Sequence, residues 1–208
     1  MTGRRNSKPV AGKSRATGFS MVELLVVVAI VMVVSGLAIP QITRTLRTYQ
    51  VSSAASQIAD AIKFSRFEAI RRNSQMSFLA WWSGVRWSVG TDSNADSILQ
   101  LSERQYEITG NVTLLTAAGV PTSATLPAAL NVPAITVLSG ATSAKAIFFD
   151  PRGAVNFPAS AGGVPTVYVF YVGPTSQSTQ EYRAVVVMPS GAAQVWGGNA
   201  GSAWHQIS

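Results

Sequence analysis

From Phe19 to Ile39 the chain is apolar almost without interruption, and a helix needs about 20 such residues, at about 1.5 Å each, to cross a bilayer. One carboxylate, Glu23, stands as the fifth residue of that run. A charge inside such a segment is expensive and marks a functional position. Ahead of it, Arg4, Arg5, Lys8, Lys13 and Arg15 form a leader with no acidic residue. The preference of basic flanks for the cytoplasm then keeps residues 1–18 inside and sends the rest outward. Two plainer readings compete: a signal anchor with an incidental acid, and a secretory signal cut after Ala38 with Gly36 and Ala38 as its small residues. The first leaves Glu23 unexplained, and the second needs an unusually long and charged apolar region.

Gly18-Phe19-Ser20-Met21-Val22-Glu23, with the apolar run through Pro40, resembles the class III leader of type IV pilins and type II secretion pseudopilins. The resemblance implies that a prepilin peptidase removes residues 1–18, cutting between Gly18 and Phe19, and that the new terminus at Phe19 is N-methylated. Glu23 and Pro40 then fall at the fifth and twenty-second mature positions, as in that family. It also implies a bacterial inner-membrane protein with one transmembrane segment, a cytoplasmic N-terminus and a periplasmic C-terminal domain. The partners it implies are other pilins or pseudopilins in a filament, and an inner-membrane assembly platform. A physical reason for Glu23 follows: in a helix bundle its carboxylate pairs with the Phe19 ammonium of a neighbour, and a charge pair in hydrocarbon costs less than either charge alone.

The formal charge of +7 is mostly topological, because five of the 16 basic side chains lie in the leader and leave 11 against nine acidic ones. With 208 residues and no cysteine, the chain has room for one modest domain after the membrane segment, held by packing without disulfides or thiolate metal sites. The organisation expected is a leader over 1–18, a transmembrane helix over 19–40, an amphipathic helix over 41–73 and a β-rich domain over 74–208. The amphipathic face is marked by Ile42, Leu46, Tyr49, Ala54, Ile58, Ala61, Ile62 and Ala69 at three- and four-residue spacing. Pro40 removes one backbone donor, which predicts a kink or local melting near Gly36–Pro40. Phe64–Asn73, leading to Ser74–Ser77, resembles the end of the long helix in H-type pseudopilins and FimT-type minor pilins.

After residue 75 the helical spacing gives way to short β-favouring runs between Gly, Pro, Asn and Ser clusters. Strands are predicted at Met76–Trp81, Val85–Val89, Ile98–Leu101, Gln105–Ile108, Ile135–Leu138, Ala146–Phe149, Thr166–Val172, Arg183–Met188 and Ala192–Trp196. The fold class is therefore α+β: a long N-terminal helix beside an antiparallel domain of about two sheets. Predicted core residues are Trp87, Phe148, Val169, Tyr171, Val185 and Val187. Phe149-Asp150-Pro151-Arg152-Gly153 and the Trp81–Trp87 hairpin read as structural turns. Ala117–Pro133 reads as an exposed, variable loop.

Chemistry is sparse. Asp92, Asn94, Asp96 and Glu103 have the oxygen spacing of a calcium-binding EF-hand loop, but Ser97 replaces its glycine and the flanks read as strands. A polar hairpin with side chains bonded to backbone explains the same residues, so neither a metal nor a cofactor is expected. His205 is the sole histidine, and no nucleophile–base pair, triad or phosphate loop accompanies it, so no enzymatic activity is expected. Gly197–Gly201 is placed after the last strand, with Trp196 and Trp204 capping an open edge of the core.

Arg66, Arg71 and Arg72 are the one candidate site for nucleic acid, but residues 74–208 carry five basic against six acidic side chains, no footprint for a polyanion. DNA-binding relatives carry Gly-Arg-x-Arg near the C-terminal strand, where this chain has Gly191-Ala192-Ala193-Gln194. DNA is therefore not an expected partner. The reading adopted is an H-type minor pseudopilin, a structural subunit of a type II secretion pseudopilus. The alternative is a FimT-type minor type IV pilin of pilus biogenesis or DNA uptake.

Overall fold

The structure, a computed structural model, describes residues 18–94, 96–116, 120, 125–132, 135–138, 145–156, 167–175, 181–199 and 203–208. It divides into two units, Met1–Ile42 and Thr43–Ser208. Helix α1, Met21–Arg72, has 52 residues and belongs to both. In the first unit every described residue is exposed, and the helix is long and apolar enough to cross a membrane. It runs through Pro40 without interruption, so the local melting expected near Gly36–Pro40 does not occur. A proline forfeits one intrahelical bond, and the flanking turns keep theirs.

In the second unit α1 buries a stripe of small and branched residues: Val51, Ala54, Ala55, Ile58, Ala59, Ala61, Ile62, Ser65, Glu68 and Ala69. The stripe begins only at Val51, so Ile42, Leu46 and Tyr49, expected on the packed face, are exposed. Asn73 ends the helix in the left-handed region, at φ 48°. Its amide donates to Ile70 O at 3.2 Å and that of Ser74 to Ala69 O at 3.2 Å, the pairing that satisfies the last carbonyls of a helix.

Eleven strands among the described residues form two sheets. The first comprises β1 (Met76–Trp82), β2 (Trp87–Asp92), β3 (Gln105–Ile108), β6 (Lys145–Phe149) and β7 (Val155–Asn156), in the order β3-β2-β1-β6-β7. The second takes β4 (Val112–Leu115), β8 (Val167–Pro174), β9 (Glu181–Val187), β10 (Ala193–Asn199) and β11 (His205–Gln206), in the order β11-β10-β9-β8-β4. Both are antiparallel, except that β5 (Ile135–Val137) lies parallel to β8 beyond the end of β4. A short helix α2 spans Thr125–Ala129.

Two apolar clusters result. The larger joins α1 to both sheets, with the Phe78 and Phe170 rings edge to face at 5.5 Å. The smaller lies on the opposite face of the second sheet, where Val169, Tyr171, Val186 and Trp196 meet Leu126 and Trp204. Covered on both faces, β8 from Val167 to Val172 and β9 from Ala184 to Val187 read as continuous apolar runs. The Tyr171 hydroxyl is buried without a hydrogen-bond partner among the described residues, and burial pushes its pKa up to about 12.

The predicted core positions Trp87, Val169, Tyr171, Val185 and Val187 are buried. Phe148 is only partly buried, and its neighbour Phe149 is fully buried instead: successive strand residues face opposite ways, and Ile147 and Phe149 share the inward face. Ile98–Leu101 is a turn with Ile98 and Leu101 exposed, because the surrounding loop bonds to itself. The β1–β2 turn absorbs Val85, its Gly84 at φ 91°, so β2 starts at Trp87. Within Ala117–Pro133, Val120 and Leu126 are buried and α2 forms, which corrects the exposed-loop reading there; 117–119, 121–124 and 133 lie outside the described residues. Gly197 and Gly198 lie inside β10, not after it.

Two glycine turns fasten the sheets to the helix. Gly153 and Gly191 both have φ 79°, and a Cβ on Gly191 would stand about 2.1 Å from Gly153 O. A fragment beginning at Thr43 is expected to fold as a soluble monomer without added metal. Gly191→Ala should cost that fragment at least about 2 kcal/mol in urea denaturation, since it combines left-handed strain with a backbone clash. An unchanged midpoint would show that the two turns separate freely.

Candidate assembly site

Gly18, Phe19 and Ser20 lead directly into α1. The Leu24 amide donates to Ser20 O at 3.1 Å, and Glu23 lies in the first helical turn. A carboxylate there meets the unpaired amides and the positive end of the helix dipole. Ser20-x-x-Glu23 also has the spacing of a capping box, a local reason for the acid that the apolar-run argument did not find. Phe19 is exposed. Gly18, Phe19 and Glu23 are thus grouped at the helix start, and Pro40 lies within the same helix further along.

At the other end of α1 the three arginines do not form one free cationic patch. Arg66 Nε donates to Gly153 O at 3.0 Å. Arg71 grips Glu68 with two bonds, Nε to Oε1 at 3.0 Å and Nη2 to Oε2 at 2.7 Å, and Arg72 Nε reaches Oε2 at 2.9 Å. The Glu68 side chain is 9% exposed. The Arg71 hydrogen bond, helped by Arg72, outweighs burial and holds the Glu68 carboxyl below its ordinary pKa. One buried anion therefore offsets half the charge of the two guanidiniums beside it.

Asp92, Asn94, Asp96 and Glu103 are gathered in one loop, and each turns to a donor already within it. Asp92 Oδ2 accepts from Ser77 Oγ at 3.2 Å and Ser97 N at 2.9 Å. Glu103 Oε1 accepts from Ser93 N at 2.6 Å and Ser93 Oγ at 2.8 Å, and its Oε2 from Gln100 N at 3.1 Å. Asn94 Oδ1 accepts from Asp96 N, and Asp96 Oδ1 from Ile98 N at 2.9 Å. The Ile98 amide leads the bonds that hold Asp96 below its ordinary pKa. These are Asx-type turns. Among the described residues no group of three or more His, Cys, Asp or Glu is placed to hold a metal. The loop closes where the Thr91 amide donates to Arg104 O at 3.0 Å, and the Arg104 guanidinium covers Phe64 of α1 at 4.3 Å.

An exposed apolar helix with one carboxylate in its first turn, leading into a two-sheet domain, defines a pilin-like subunit of the kind a membrane holds by its helix. The chain belongs to the family of the type II transport protein GspH, whose profile matches residues 54–191. The prokaryotic N-terminal methylation motif matches residues 13–39. The crystal structure of the type IV minor pilin FimU from Pseudomonas aeruginosa is similar at a TM-score of 0.43 and 16% identity, covering 71% of this chain and 88% of that one. No curated protein matches the chain.

Because the folded-state pKa of Glu68 is depressed, its contribution is present above the unfolded value of about 4.3 and is lost as pH falls through the folded value. Glu68→Gln should therefore cost the soluble fragment about 1 kcal/mol at pH 7, the half-exposed arginines being screened. The difference from the parent should shrink in acid. A difference independent of pH between 7 and 3 would assign the loss to packing alone.

Proposed function

We propose that this chain is an H-type minor pseudopilin, a structural subunit of the pseudopilus of a type II secretion system. The observation that carries this reading is the family match across the outer domain, joined to a methylation motif at the start of α1. A prepilin peptidase cuts between Gly18 and Phe19, and Phe19 becomes the N-methylated terminus. Residues 19–40 then anchor the subunit in the inner membrane, with the β domain of 74–208 on the periplasmic side. Its work is packing against neighbouring subunits, and it has no catalytic role.

Glu23 does the specific chemistry of assembly. In hydrocarbon a lone carboxylate is costly. The Phe19 ammonium of the adjacent subunit neutralises it and so fixes the axial register of one helix against the next. Secretion is favoured over DNA uptake by residues: Ala192 and Gln194 stand after Gly191 where the DNA-binding pattern has arginines, Arg66 is tied to Gly153 O, and Glu68 takes Arg71 and Arg72.

Mass spectrometry of the membrane-extracted protein should find a chain beginning at N-methylated Phe19; one beginning at Ile39 would contradict the reading. Glu23→Val should leave insertion and the β domain intact while reducing co-purification with the other filament subunits at least about tenfold, or 1.4 kcal/mol. Unchanged co-purification would remove the register argument, and association with a retractile pilus instead of a secretion filament would select the minor pilin alternative.

A further inference from the structure

Strand β10 pairs with β9 along its whole length but with β11 over only two positions, Trp196 opposite Gln206 and Gly197 opposite His205. The segment around β11 is then fastened at one point: Val195 N donates to Ser208 O at 2.7 Å, and the Ile207 and Ser208 amides donate to Val195 O at 2.8 and 3.2 Å. His205, Gln206, Ile207 and Ser208 are exposed, whereas Trp204 is buried, its ring 5.6 Å from that of Tyr171.

Two glycines sit in the interior of β10, where they weaken a strand. Their reason is the close approach of this segment. A Cβ on Gly198 would stand about 2.7 Å from the Trp204 ring, and one on Gly197 about 2.8 Å from Ile207 Cδ1 and 3.1 Å from His205 Nε2. In both cases the nearest atoms belong to the segment alone. Neighbouring residues of a strand face opposite ways, so the segment clasps β10 from both faces, the indole over one glycine and the isoleucine over the other.

We propose that Ala203–Ser208 is a displaceable guard strand, and that its seat, the outer edge of β10 floored by Gly197 and Gly198, accepts the same segment from a second copy of the chain. A two-position ladder opens at low local cost. The opened edge exposes unpaired backbone groups and uncovers Tyr171, which is how sheet edges recruit other chains. Backbone pairing alone would admit many strands, but the two missing Cβ atoms select one with a tryptophan and, three residues on, an isoleucine. The segment of a second copy meets that requirement, and exchange of an identical element is a low-cost route to association. The inference stands on β10 and its neighbours and does not depend on the secretion reading.

The test uses the detergent-solubilised chain ending at residue 202 and a synthetic peptide of residues 203–208. The shortened chain should bind the peptide, and Gly198→Ala within it, or Trp204→Ala in the peptide, should weaken binding at least tenfold. Mixed with the intact chain, it should form a one-to-one pair that the peptide dissolves. A folded shortened chain that takes up neither peptide nor intact chain overturns the proposal. If shortening prevents folding, Trp204→Ala in the intact chain decides. Amide exchange at least tenfold faster at Val195, with the β8–β9 ladder unchanged, supports a guard that lifts; acceleration throughout the domain overturns it.

Discussion

The outer domain depends on burial of the small-residue stripe of α1 against its two sheets. Ala54, Ala55, Ala59, Ala61 and Ala69 are buried in one cluster with Ile58, Ile62, Phe78 and Phe170. Single polar atoms also bridge helix and sheet. Ser65 Oγ lies 2.7 Å from Thr91 Oγ1, and Arg66 reaches Gly153 O. The glycines at 153 and 191 keep Cβ atoms out of that space. Interiors packed this tightly accommodate neither extra volume nor a slipped helix.

The same helix has a second part with opposite demands. From Met21 to Ile42 its side chains are exposed, and apolar residues there need lipid or other helices around them. One continuous element thus contributes core to the domain and, in the proposed subunit, its membrane anchor. The charge pattern follows that division: Glu23 is the one ionisable residue from Phe19 to Thr43, whereas Asp60–Lys63 and Glu68 with its two arginines lie where water or the domain can satisfy them.

Much of this was legible from local pattern. The helix, strands β8 and β9, and Gln105–Ile108 follow from periodicity and composition, and the acid at Glu23 from its isolation. What escaped depends on partners distant in sequence. Val112–Leu115, Val155–Asn156 and His205–Gln206 are strands only because β8, β6 and β10 lie beside them. Phe148 and Phe149 were indistinguishable without knowing which way β6 faces. Two signals were present and missed: the Ser20–Glu23 spacing of a capping box, and Glu68 three and four residues ahead of Arg71 and Arg72, the spacing of helical ion pairs.

The most direct test is to enlarge the stripe without changing its polarity. In the fragment beginning at Thr43, Ala61→Leu adds apolar volume at a position 1% exposed, and Ser56→Leu adds it to the exposed face of the same helix. If close packing on α1 holds the domain together, Ala61→Leu lowers the unfolding free energy in urea by about 2 kcal/mol, while Ser56→Leu stays within about 0.5 kcal/mol of the parent. Equal effects of the two substitutions would contradict it.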